Sequence, residues 1–206
     1  MKRYLLLLWS LLSVVSISAQ TLNEAQIRQR VNQAAAAMKT MHCDFVQTTH
    51  LKMLNDNMVA QGKMYYQQSS KLRWEYTNPY TYTFVLNSDK VLLKNQQRND
   101  VIDVKQNKMF REIVRVMMSS VVGNCLSDDK TFKTTIATTN SEWIATLVPQ
   151  RKDMRQMFQK IVLHFNPQRA VVSCVEMIEK NGDRTLITLK NIRTNETINA
   201  AIFAVH

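Results

Sequence analysis

Four histidines, three cysteines and three glycines are the material from which most side-chain chemistry in this chain would be built. His42, His50, His164 and His206 show no HxxxH spacing. Cys43, Cys125 and Cys174 show no CxxC or Cys/His zinc pattern, so no local motif encodes a metal centre. Gly62, Gly123 and Gly182 lie far apart, which leaves no GxGxxG, no Walker loop and no GxSxG nucleophile elbow. His42 and Cys43 are neighbours, but on a strand they point to opposite faces. A Cys43–His164 nucleophile–base pair is the one enzymatic reading left, and Asp128-Asp129 reads as a strand start or turn cap before it reads as an acid/base pair. The expected catalytic residues, metal ligands and cofactors are therefore none.

Lys and Arg total 27 against 16 Asp and Glu, a formal net charge of +11 that leans toward an anionic partner. The basic residues are scattered singly on outward strand positions, which describes a solvated basic surface and not a nucleic-acid interface. The N-terminus changes the class. Lys2 and Arg3 form a basic n-region, Leu5 to Ile17 an apolar core, and Ser16-Ile17-Ser18-Ala19 a small-residue cleavage site. The run is shorter than the ~20 apolar residues that span a bilayer. Residues 1–19 are thus expected to be a cleaved signal peptide and residues 20–206 one exported domain; removing Lys2 and Arg3 takes the charge from +11 to +9. In an oxidising compartment three cysteines could close one pair and leave one over, or remain three buried thiols.

The elements that would position any site alternate between two periods. Thr21 and Glu24 are spaced as a capping box, and Ile27, Val31, Ala34, Ala35, Met38 and Met41 fall on one face, which predicts a helix over 22–41. The period then becomes two. Met58, Ala60, Met64 and Tyr66 share a face, as do Leu72, Trp74 and Tyr76, and Tyr82, Phe84 and Leu86. Phe110, Ile113, Val114, Met117, Met118, Val121 and Val122 form the apolar stripe of a second helix, with Arg111 and Arg115 opposite and Gly123 placed to end it. Strands resume near 131–138, 142–149, 158–165, 170–179 and 184–192, with Asn181-Gly182 as the strongest hairpin turn. About eleven strands and two helices predict a single α+β domain, mainly antiparallel β, as a sheet or barrel. Eleven methionines outside the leader and inward-facing aromatics would fill a packed core or line a cavity for flexible acyl chains.

These residues resemble the periplasmic outer-membrane lipoprotein carriers, the LolA family. Phe45-Val46-Gln47 is similar to the family's F-x-Q strand. Gly62-Lys63-Met64-Tyr65-Tyr66, Lys71-Leu72-Arg73-Trp74-Glu75-Tyr76 and Asn78-Pro79 look like its central block, and Val85-Leu86-Asn87-Ser88-Asp89-Lys90 like its hairpin. Gly182-Asp183-Arg184-Thr185, Asn191, Asn195, Ile198 and Phe203 continue the order. The family's release-linked Arg before the central Trp has no equivalent: Gln68 aligns near it, and Arg73 points the other way.

The resemblance implies an unclosed β-barrel of about eleven strands whose apolar concave face is covered by helices. It implies a non-enzymatic carrier that binds the acyl chains of lipoproteins and ferries them from inner to outer membrane. The implied lipid-binding residues are Phe45, Trp74, Tyr76, Phe84 and Leu86 on strands, and Phe110, Ile113, Val114, Met117, Met118 and Val121 on a movable helical lid. The implied partners are acylated lipoproteins or other lipid cargo, an inner-membrane release complex, an outer-membrane acceptor and transient membrane contact, without nucleic acid, for a monomer in the periplasm. A shuttle for another amphiphile (a glycolipid or polyene-type lipid) and a lipoprotein-sensing domain are the alternatives.

Overall fold

Most of the alternating strands are separated by turns of two to four residues and pair with their sequence neighbours, because such loops return the chain antiparallel. The computed structural model describes residues 22–54, 56–68, 70–106, 118–119 and 124–205. It shows one antiparallel sheet of eleven strands: β1 Thr40–Leu51, β2 Asp56–Gln67, β3 Lys71–Asn78, β4 Tyr82–Asn87, β5 Lys90–Asn95, β6 Asn99–Asp103, β7 Phe132–Thr138, β8 Trp143–Pro149, β9 Phe158–Asn166, β10 Val171–Glu179 and β11 Arg184–Thr194. The order is β6-β5-β4-β3-β2-β1-β11-β10-β9-β8-β7, so β6 and β7 are edges and the barrel is unclosed. Among the described residues the only pairing of strands distant in sequence is that of β1 with β11, which sets Phe45 opposite Leu189 and Gln47 opposite Ile187.

Helix α1 spans Glu24–Ala37. The expected Thr21/Glu24 capping box is replaced by another. Asn23 Oδ1 accepts from Gln26 N, Gln26 Oε1 accepts from Asn23 N, both at 2.9 Å, and Glu24 binds Arg28 instead. The helix ends four residues before the expected Met41. Met38 becomes the C-cap, and pairing of Thr40 and Met41 with Gln67 and Tyr66 of β2 draws Met41 into the sheet. A short helix not expected from the sequence, α2 (Lys152–Met157), bridges β8 and β9. The expected helix from Phe110 to Val122 lies outside the described residues except Met118 and Ser119, which are helical. The expected signal peptide lies outside them too. Among the described residues no helix is long and apolar enough to cross a membrane.

The concave face holds the main core. Ile27 and Val31 of α1 pack with Met41, Phe45, Met64, Leu72, Trp74, Leu86, Leu147, Leu163 and Phe165. A second, smaller core sits on the convex face, where Val85 of β4, Leu92 of β5 and Phe203 are buried together. Phe203 belongs to a 3-10 turn, Ala200–Phe203, whose start is capped by Asn199 Oδ1 on Ala201 N. After β11 the chain is tied down by Glu196, whose carbonyl accepts from Thr40 Oγ1 and whose carboxylate meets His42 Nε2 at 2.9 Å. Arg73 Nη1 then donates to Ile202 O and Asn87 Nδ2 to Phe203 O. The C-terminal segment is thus a strap over the outside of β1 to β5.

Candidate functional site

The site is built by alternation. Inward positions of β1 are Met41, Cys43, Phe45, Gln47 and Thr49. Their register partners bring Met64 and Gly62 of β2, then Trp74 and Tyr76 of β3, then Phe84 and Tyr82 of β4 onto the same face. The inward positions of β1, β3, β4 and β11 carry no charged side chain. Of the residues expected to line a lipid site, Phe45, Trp74, Tyr76, Phe84 and Leu86 all stand on this concave surface. Met118 packs against it, partly buried. Phe110, Ile113, Val114, Met117 and Val121 lie outside the described residues.

Burial along the face is graded. Near the end where β2 turns into β3, Met41, Leu72, Leu86 and Val91 are wholly covered and form a floor. Toward the opposite end, where β1 turns into β2, the inward residues Tyr76, Tyr82, Leu93, Val175 and Met177 are only half-buried. This end is a mouth. Its lip carries most of the large exposed apolar side chains among the described residues: Met53 at 97 %, Leu54 at 70 %, Met58 at 54 %, with Val59, Tyr80 and Met157. Soluble surfaces seldom gather so many such residues at one place without a use. Tyr82, Leu93, Val175, Met177 and the lip stand outside the expected lipid-binding set, although Tyr82 shares the alternating face of Phe84 and Leu86, and Met58 that of Ala60 and Met64. The exposure of Met53 and Leu54 had no sequence signal, since an apolar turn residue looks like a strand end.

Aromatic rings interlock between floor and mouth. The Phe45 and Trp74 centroids are 4.4 Å apart, and Tyr76 meets Phe45 edge-on at 5.2 Å. Gly62 makes this possible. It sits opposite Phe45, whose ring lies where a side chain on residue 62 would be. Across the mouth runs a line of hydrogen bonds. Tyr76 OH donates to Gln47 Oε1 at 2.8 Å, Gln47 Nε2 donates to Thr49 Oγ1, and Thr49 Oγ1 meets Thr185 Oγ1, each at 3.3 Å. Burial holds the Tyr76 phenol above its usual range, so it stays a neutral donor.

The cover over the β7–β10 half is α1, and Arg28 fastens it. Its guanidinium donates to Leu126 O and to Thr134 O on β7, the latter at 2.8 Å, while Glu24 holds the same group at 2.6 Å. Such charge-assisted bonds contribute about 1.5–3 kcal/mol each. Arg28→Met should therefore loosen the helix selectively: amide exchange over residues 24–37 accelerates roughly tenfold or more, while β1 and β11 keep their protection. Uniform acceleration across the sheet, or none in α1, would show that Arg28 does not hold the cover.

The nucleophile reading is excluded by geometry. Cys43 points inward, and burial together with Asp44 pushes its thiol up to about 12. His164 points outward and binds Glu142 at 3.0 Å. Cys43 and Cys174 are free thiols; Cys43 belongs to the concave core, whereas Cys174 pairs with His164 and Thr188, whose side is the convex one. Asp128 caps a turn by accepting from Thr131 N. Arg73 points outward, bound to Glu75, as alternation requires. Among the described residues no group of three or more His, Cys, Asp or Glu could hold a metal.

The chain is 22 % identical over 201 residues, 98 % of its own length and 91 % of the relative's, to the outer-membrane lipoprotein carrier protein of Methylococcus capsulatus. Its fold is similar to that of MucB in the Pseudomonas aeruginosa MucA/MucB complex, with a TM-score of 0.52 and 7 % identity, covering 88 % of this chain and 60 % of that one. The Mycobacterium tuberculosis lipoprotein LppX superposes with a TM-score of 0.48 at 10 % identity over 86 % of this chain and 99 % of that one. Residues 36–206 match the family model for the outer membrane lipoprotein carrier protein LolA, and the chain belongs to that family.

Proposed function

We propose that this protein is a periplasmic carrier that takes the acyl chains of outer-membrane lipoproteins onto its concave face and ferries them from the inner to the outer membrane. The observation that carries this reading is the graded face, with an uncharged apolar floor and a half-open mouth at the end where Met53, Leu54 and Met58 are exposed. Each CH₂ removed from water is worth ~0.8 kcal/mol, so a soluble carrier must offer an acyl chain comparable apolar surface. Phe45, Trp74, Phe84 and Leu86 are the floor against which a chain would lie, and Tyr76, Tyr82, Leu93, Val175 and Met177 are its entry. Movement of α1 and of the segment that carries Met118 would expose that surface without covalent chemistry. The apolar lip supports transient contact with membranes, and the net charge of +9 left without Lys2 and Arg3 suits anionic headgroups. An inner-membrane release complex and an outer-membrane acceptor would receive the same end.

The test is mass spectrometry of material that co-purifies with the protein from fractionated periplasm, together with N-terminal sequencing. Triacylated lipoprotein peptides and a chain starting near Gln20 are expected. Enrichment of a glycolipid or polyene-type lipid in their place assigns the same cavity to another amphiphile. A chain retained uncleaved in the inner membrane, or one that carries no lipid, overturns the proposal.

A further inference from the structure

The concave face contains one polar feature whose bonds the carrier reading does not use. Trp74 is only 6 % exposed, and its indole Nε1 is buried without a hydrogen-bond partner among the described residues. A buried donor left unmade is unfavourable and uncommon in native folds. This N–H lies close enough to the Tyr76 hydroxyl to favour the ionised phenol, against the larger effect of burial, yet the two groups do not reach hydrogen-bond geometry. Next to it, Tyr76 OH is committed to Gln47 Oε1, which fixes the orientation of the amide. Gln47 Nε2 spends one hydrogen on Thr49 and has a second. Two donors thus stand at the boundary between the apolar floor, beginning at Phe45, and the open mouth.

We infer that Trp74 Nε1 and Gln47 Nε2 form a subsite for the carbonyl oxygen of an acyl ester or amide. An amphiphile whose tail lies on the floor brings its first polar atoms to this level. The donors there would donate to a carbonyl oxygen, find no acceptor in a plain hydrocarbon and only a weaker, differently placed one in an alkyl ether. A site built to hydrogen-bond a group discriminates strongly against the analogue lacking it, because its own polar atoms are then left unpaired. The subsite rests on the carrier reading and adds to it a chemical preference for acylated over alkylated cargo.

The experiment compares two probes of equal chain length, 1-palmitoylglycerol and its ether counterpart 1-hexadecylglycerol, by calorimetric titration into the mature protein. Wild type should bind the ester about tenfold more tightly, the discrimination of one net hydrogen bond. A carbonyl-¹³C-labelled ester should show its stretching band move to lower frequency on binding. In Trp74→Phe, which keeps a ring against Phe45, and in Gln47→Leu, the ester-to-ether ratio should fall toward one and the band shift should shrink, in variants whose thermal melts confirm folding. Equal affinity of wild type for both probes, or variants that keep the full ratio, overturns the subsite and leaves the carrier reading standing. Failure of wild type to bind either probe removes both.

Discussion

Replacing Gly62 by alanine should destabilise the protein by about 3 kcal/mol or more, toward the upper end of what overpacking a core produces. A Cβ at this position would lie 1.9 Å from Glu75 O and 2.6 Å from Phe45 Cζ. The first contact is with backbone, so β2 and β3 must part locally, where the register already shifts between Gln61 and Gly62. The second displaces Phe45 from the rings of Trp74 and Tyr76. For a chain of this size the loss lowers the melting temperature by roughly 10 °C. Gly182→Ala is the control. Its φ of +93° costs ~1 kcal/mol, but the nearest atom, Lys52 Cδ at 2.6 Å, belongs to a flexible side chain. A Gly62→Ala protein melting within two or three degrees of wild type would mean that the aromatic row does not depend on this close approach.

The second large effect is expected on the opposite side of the sheet. Phe203 is wholly buried between Val85 and Leu92, and Phe203→Ala should cost ~3–5 kcal/mol, the usual range for truncating a core phenylalanine. The penalty should exceed the lost ring, because the carbonyls of Ile202 and Phe203 would release Arg73 and Asn87. Urea unfolding should show the lower midpoint, and exchange should rise first in β4 and β5. Phe203→Leu should recover most of the loss. If Phe203→Ala unfolds at the wild-type midpoint, the strap is ornamental to the fold.

How much of this could be read from residues alone varies with the physics that decides each element. The concave face was legible because Leu72-Trp74-Tyr76 and Phe84-Leu86 alternate cleanly, and alternation alone fixes a face once a sheet is half-buried. The convex core was not recognised, although Phe84-Val85-Leu86 and Val91-Leu92-Leu93 are continuous apolar runs, the mark of strands covered on both sides. What covers them, Phe203, lies more than a hundred residues further on, and no local pattern announces such a meeting. The start of α1 moved because Asn23 and Gln26 compete with Thr21 and Glu24 for the same capping chemistry. Its end moved because the pairing of β1 with β2 outweighs helical propensity at Thr40 and Met41. The polar line from Tyr76 to Thr185 joins three strands through β1 and β11, a pairing that sequence proximity could not suggest. Gln47 was noted only as part of Phe45-Val46-Gln47, with no role for its amide.

The strand order has a mechanical consequence. β6 and β7 are not hydrogen-bonded to each other, and the chain joins them through residues 104–131. A closed barrel has its girth set by strand number and shear, and can widen only by breaking a ladder. Here the two margins can move apart or together while all ten strand-to-strand ladders stay intact, with the change absorbed as sheet twist. The width between the two margins is therefore set by sheet twist and not by strand number and shear, so a change of width needs no broken ladder.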